Sequence, residues 1–119
     1  MEKYVEIING AIEQYRKKVA DLMDENFWGM ASMQALQLAI GFRIIAQDVI
    51  NDLGSSDLSD IALGLCIKIN TLGCFLKENC DINGMKKDRG SSEETLKYRQ
   101  ETDTAVAECC SKMKKMMTT

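Results

Sequence analysis

The sequence contains no histidine and no proline. The first absence removes the side chain most used for proton transfer near neutral pH and the commonest metal ligand. Nucleophile systems that depend on a histidine base are therefore excluded. The second absence means that no helix is forced to break and no loop is stiffened by a fixed φ. A concentrated basic face is also missing. With 15 Lys and Arg against 18 Asp and Glu, the net charge is −3, so nothing attracts a phosphate backbone strongly and no nucleic-acid partner is expected. No run of 18 apolar residues is free of charge. The best candidates carry Arg43, or Asp60 and Lys68, so no membrane span is expected. The first residues, Met-Glu-Lys-Tyr-Val-Glu, lack the apolar run of a signal peptide.

The chain has 119 residues, 45% of them hydrophobic and 28% charged, which suits one folded domain spanning 1–119. Its five cysteines are Cys66, Cys74, Cys80, Cys109 and Cys110. An odd count without a secretion signal points to free thiols in a reducing, cytoplasmic setting.

Apolar periodicity predicts four helices and hence an all-α, single-domain, antiparallel four-helix bundle. Helix 1 spans about 3–25, with Tyr4, Ile8, Ile12, Tyr15, Val19 and Leu22 at steps of three and four. Asn26 then suits the N-cap of helix 2, about 29–53. Helix 2 is apolar almost all round, so it reads as the central helix or as a dimer interface. Gly54 suits its C-terminal stop, and Ser55, Ser56 and Asp57 offer caps for helix 3, about 57–79. Helix 4, about 92–117, opens on a capping box formed by Ser91 and Glu94. Its stripe is Leu96, Val106, Cys110, Met113 and Met117, thin around Arg99 and Asp103. Gly10, Gly64 and Gly73 are candidates for close helix contact. Up-down-up-down order would bring Lys112, Lys114 and Lys115 towards Asp48, Asp52, Asp57 and Asp60, and Lys86, Lys87 and Arg89 towards Asp21, Asp24 and Glu25.

Few residue patterns carry chemistry. Asn79-Cys80-Asp81-Ile82-Asn83-Gly84 has the outline of half an EF-hand loop, but Asn79 and Gly90 stand where calcium needs carboxylates, so an Asx turn is expected. The cysteines lack the paired spacing of a zinc site and read as small hydrophobes in the core, with a metal or redox sensor as the sharper alternative. Acidic pairs such as Glu93 and Glu94 suit solvated faces and helix starts. Trp28, at a turn, reads either as a staple between helices or as an exposed binding anchor.

No catalytic group, metal or cofactor is expected. What remains is a protein-binding role: a module that inhibits or shields a partner, such as a toxin, in the manner of an immunity protein or antitoxin. Trp28, Asp48, Asp52, Asp57 and Asp60 are its candidate contact residues. The alternative is a secretion or assembly chaperone for an exported protein, acting as a homodimer.

Overall fold

A computed structural model describes residues 1–87 and 92–118. Among the described residues the fold is all-α, with four long helices. Helix α1 covers residues 2–24 as an α-helical run Glu2–Tyr15, a π-helical turn Arg16–Ala20 and a final turn Asp21–Asp24. Helices α2 (Trp28–Leu53), α3 (Asp57–Glu78) and α4 (Ser92–Thr118) follow. The body is elongated, 48 × 22 × 19 Å.

Contacts between the helices fix their directions. Lys68 meets Glu101, Phe75 stacks on Tyr98 and Asn79 bonds Thr95, so α3 and α4 run antiparallel. Tyr4 reaches Asp52, at the far end of α2, and the three-residue link 54–56 folds α3 back along α2. Helix α1 closes the ring on α4 through Tyr15 and Asp103. These pairings fit the antiparallel bundle that the short connections predict.

The core follows the predicted stripe of α1: Tyr4, Ile8, Ile12, Tyr15 and Val19 are buried. The α2–α3 interface is built on small residues. Ala31, Ser32, Ala35, Ala39 and Ala46 face inward from α2, and Ala62 and Gly73 from α3. Small side chains let two helices approach closely, and Gly73 does so. A Cβ there would lie 3.0 Å from Leu36 Cδ2 and 3.2 Å from Ala35 Cβ. The Ser32 hydroxyl donates to the Gly73 carbonyl at 3.0 Å, which satisfies a buried polar group inside this contact. Gly10 and Gly64, by contrast, face open space.

Helix α4 departs from its predicted stripe. Leu96 and Met117 are exposed, while Thr95 and Thr102 are fully buried in line with Val106 and Met113. The Thr102 hydroxyl donates to the Tyr98 carbonyl at 2.7 Å, so threonine occupies the core position without an orphaned donor.

Two expected caps also change. Asn26 does not start α2 but ends α1. Its φ of 67° is left-handed, and a Schellman motif forms as Phe27 N donates to the Leu22 carbonyl and Asn26 N to the Met23 carbonyl. Asparagine tolerates that conformation better than most residues with a side chain. Helix α3 is capped as expected, by Ser56 and Ser59 bonding each other's backbone N–H. The Ser91 box lies outside the described residues, as do Arg89 and Gly90.

Helices α2 and α3 are each long and apolar enough to cross a membrane by length and composition, a property that core helices of soluble bundles share.

Candidate functional site

The residues 79–87 form a loop that packs against the start of α2. Its Asp81 carboxylate accepts from the Asn83 and Met85 backbone N–H groups at 2.8 and 3.0 Å, an Asx turn. That engagement is the expected Asx turn. Gly84 (φ 77°) then offers its carbonyl to Gly29 N at 2.7 Å, and Lys86 N donates to the Asn26 carbonyl at 2.9 Å. The loop thus supplies the N-terminal cap of α2 that Asn26 does not.

Beneath it lies Trp28, only 1% exposed. Its indole N–H donates to the Met23 carbonyl at 3.1 Å, and Lys86 Nζ stands 5.5 Å from the ring centre. Trp28 is therefore the staple between α1 and α2 and not a surface anchor. The loop and the end of α1 cover the ring, so no partner reaches it in this state.

The four candidate aspartates do not share one face. Asp52 accepts a hydrogen bond from the Tyr4 hydroxyl, and Asp48 stands beside the same hydroxyl on α2. The bond to Asp52, then burial of the ring, pushes the Tyr4 pKa up to about 12. Asp57 and Asp60 instead line a groove between α3 and α4. The separation follows from helix direction: Asp48 and Asp52 sit on the α1 side of α2, and the chain then turns before Asp57.

That groove has a volume of about 490 Å³. Its floor is apolar: Ile61, Gly64, Ala105, Cys109 and Met116. Its rim carries both signs, with Asp57, Asp60 and Glu108 against Lys68, Lys112 and Lys115. The expected approach of the α4 lysines to the α2–α3 junction is thus met by Lys112 and Lys115 with Asp57 and Asp60. No ion pair closes among these four within 4 Å among the described residues. At the other end of the bundle the expected pairing changes. Asp24 binds Arg99 at 2.9 Å, while Lys87 Nζ donates to the Glu78 carbonyl.

The groove holds one thiol, Cys109. Burial pushes its pKa up, against a smaller opposing pull from Lys112, so the thiolate that nucleophilic chemistry needs is disfavoured. The five cysteines are free and scattered. Cys80 lies near Thr95, and Cys109 is fourteen residues further along α4, about 21 Å at 1.5 Å per residue. Among the described residues no three of the Cys, Asp and Glu side chains converge as a metal site would require. Cys74 is exposed, not packed in the core.

A second surface was not foreseen in this form. The near-uniform apolarity of α2 suggested cover on most sides, yet its outer face is open: Met30, Met33, Ile40 and Ile44 are 56–63% exposed. Of the two expected readings of α2, a helix covered on most sides does not describe this exposed face, and the dimer interface remains a proposal. Helix α2 packs on α1 and α3 and presents its remaining face to solvent.

The fold and these two surfaces define the class: an all-α four-helix protein with an amphipathic groove and an uncovered apolar helix face. Set against known protein families, curated proteins and solved structures, the chain matches none.

Proposed function

We propose that this protein is a non-enzymatic binding module that takes a segment of another protein into the α3–α4 groove and so inhibits or shields that partner. The groove is the observation that supports this reading. An apolar floor of about 490 Å³ inside a rim of mixed charge suits an apolar side chain flanked by charged ones. Asp57 and Asp60 keep the contact role first assigned to them, now joined by Lys112 and Lys115. Trp28 is buried and cannot make such a contact, and Asp48 and Asp52, though exposed, lie on the α1 side of α2 and do not line this groove. An immunity-protein or antitoxin-like inhibitor is the concrete form. The open α2 face favours a second reading, a dimeric chaperone for an exported or assembling protein.

Gly64 provides the test. It lines the groove, and a Cβ there meets nothing within 4 Å. Gly64→Leu therefore fills the floor without disturbing the core. Wild-type protein, tagged and used as bait in its native lysate, is expected to retain one stoichiometric partner that the folded Gly64→Leu variant does not. Undiminished capture by the variant would remove the groove from the proposal. A toxic enzyme as partner would select the inhibitor reading, and an exported protein the chaperone.

A further inference from the structure

We propose that the open face of α2 is a self-association seam, on which a second copy of this chain docks parallel and in register. The exposed residues along this face are Met30, Met33, Gln37, Ile40, Ile44, Gln47 and Asn51. Their steps are three, four, three, four, three, four: a strict heptad alternation over three repeats, with Met30, Gln37, Ile44 and Asn51 at one seam position and Met33, Ile40 and Gln47 at the other. A 3.5-residue period is what two helices need to keep one seam in mutual contact. An apolar face meant only for a lipid surface or a broad core would be wider and without polar layers.

The order of the layers selects the direction. Reading along α2 they run apolar, apolar, polar, apolar, apolar, polar, polar. A second copy laid parallel sets every layer against itself: Gln37 on Gln37, Ile40 on Ile40, Asn51 on Asn51. Laid antiparallel, where the two seam positions oppose each other, the best-matched register sets Ile40 on Ile44 and Gln37 on Gln47 but Met33 on Asn51. That last layer buries an amide against an apolar group, which is costly unless the amide is hydrogen-bonded. Like-with-like amide layers bond across the seam and fix its register.

The flanking charges agree. Apart from Asp52, which Tyr4 engages, the charged residues of α2 are Arg43 and Asp48, both exposed and without an ion pair among the described residues. They sit at the two positions bordering the seam, five residues apart. In a parallel pair, a residue at the first of these positions faces the residue five further on in the other helix. Arg43 of each copy thus meets Asp48 of its partner, twice by symmetry.

The area is adequate. With Leu63 and Ile67 exposed on neighbouring α3, the apolar side chains offer on the order of 600 Å², against roughly 800 Å² per partner in a standard interface. None of the seam residues of α2 lines the α3–α4 groove, so the proposal does not rest on the function proposed for that groove.

Sedimentation equilibrium of the full chain tests it. The expected mass is twice 13.3 kDa. Ile40→Glu with Ile44→Glu alters only exposed side chains, so the variant should keep its helical circular dichroism and sediment as a monomer. Arg43→Glu or Asp48→Arg alone should each weaken the dimer by about tenfold, and the double exchange should recover most of that loss. A wild-type monomer, or a dimer indifferent to the two glutamates, overturns the proposal. So does a dimer in which the charge exchange gives no recovery, since only the parallel register pairs those residues. Flotation with vesicles of phosphatidylcholine and anionic phosphatidylglycerol provides the last arm. A monomer that binds vesicles through Ile40 and Ile44 would assign this face to lipid instead.

Discussion

The α2–α3 interface and the α1–α4 seam hold the same bundle together by different means. Between α2 and α3, alanines, a serine and Gly73 bring two backbones close, and Phe42, Leu65, Ile69 and Leu72 fill the space around them. Among its described residues, helix α4 carries only Val106 and Met113 as buried apolar anchors. Its hold on α1 is polar. The Tyr15 hydroxyl donates to Asp103 at 2.6 Å, Asp103 accepts from Arg99 at 3.0 Å, and Arg99 also reaches Asp24 at 2.9 Å. Close packing of small residues has little room to adjust, whereas a partly solvated network can lose one bond and keep the rest. The first interface should therefore be brittle and the second tolerant.

The sharpest break is at Gly73. A leucine there collides with Leu36 and Ala35 and blocks the approach that lets Ser32 bond the Gly73 carbonyl. We expect Gly73→Leu to cost about 3 kcal/mol, read by urea denaturation. If it costs less than a bond in the polar seam, the contrast between the two interfaces fails.

Next comes the loop that caps α2. A Cβ on Gly29 would stand 2.8 Å from Gly84 Cα, backbone against backbone. Gly29→Ala should lift the loop off Trp28 at a cost of about 2 kcal/mol. Tryptophan fluorescence reads this directly, since Trp28 is the lone tryptophan: its emission should shift to the red.

The polar seam should yield less. Tyr15→Phe removes one hydrogen bond and leaves Asp103 with Arg99, at an expected cost of about 1 kcal/mol. Burial, and then the bond to Asp103, raises the Tyr15 pKa well above the usual tyrosine value. The sign follows from proton binding. Above pH 10 the unfolded chain releases this proton while the folded chain keeps it, so the contribution of Tyr15 is full below that pH and falls as pH rises beyond it. The wild type should lose its advantage over Tyr15→Phe as the denaturation series moves above pH 10.

The smallest effect is expected at Gly64. Facing open space inside a helix, it gains from any side chain, so Gly64→Leu should be stabilising by up to about 1 kcal/mol in thermal melts. The opposite signs of the two Gly→Leu changes on α3 measure what one close contact is worth.

How much of this was legible in the residues varies by element. The stripe of α1 was readable because its buried residues are apolar and its exposed ones, Ile7 and Gly10 apart, are polar or charged. The stripe of α4 was misread at Leu96 and Met117, because the positions facing inward are Thr95 and Thr102, whose hydroxyls are satisfied within the fold and look polar in a sequence. Close contact was expected at Gly10, Gly64 and Gly73 alike, and of the three Gly73 makes it. Glycine spacing shows where a backbone can approach, not which helix arrives. The groove was half visible in Asp57 and Asp60, while Lys68, Glu108 and Cys109 enter it only through the pairing of α3 with α4.

Local chemistry was enough to determine the four helices, the Gly54 stop and the Ser56 cap region, because period and caps act over a few neighbouring residues. The tertiary structure alone decided that Trp28 is buried, that Asn26 closes α1, that the aspartates part into two pairs, and which face of an all-round apolar helix stays open. Each of these depends on what a distant segment covers, and residues 79–87 lying over the start of α2 are not written in the residues they cover.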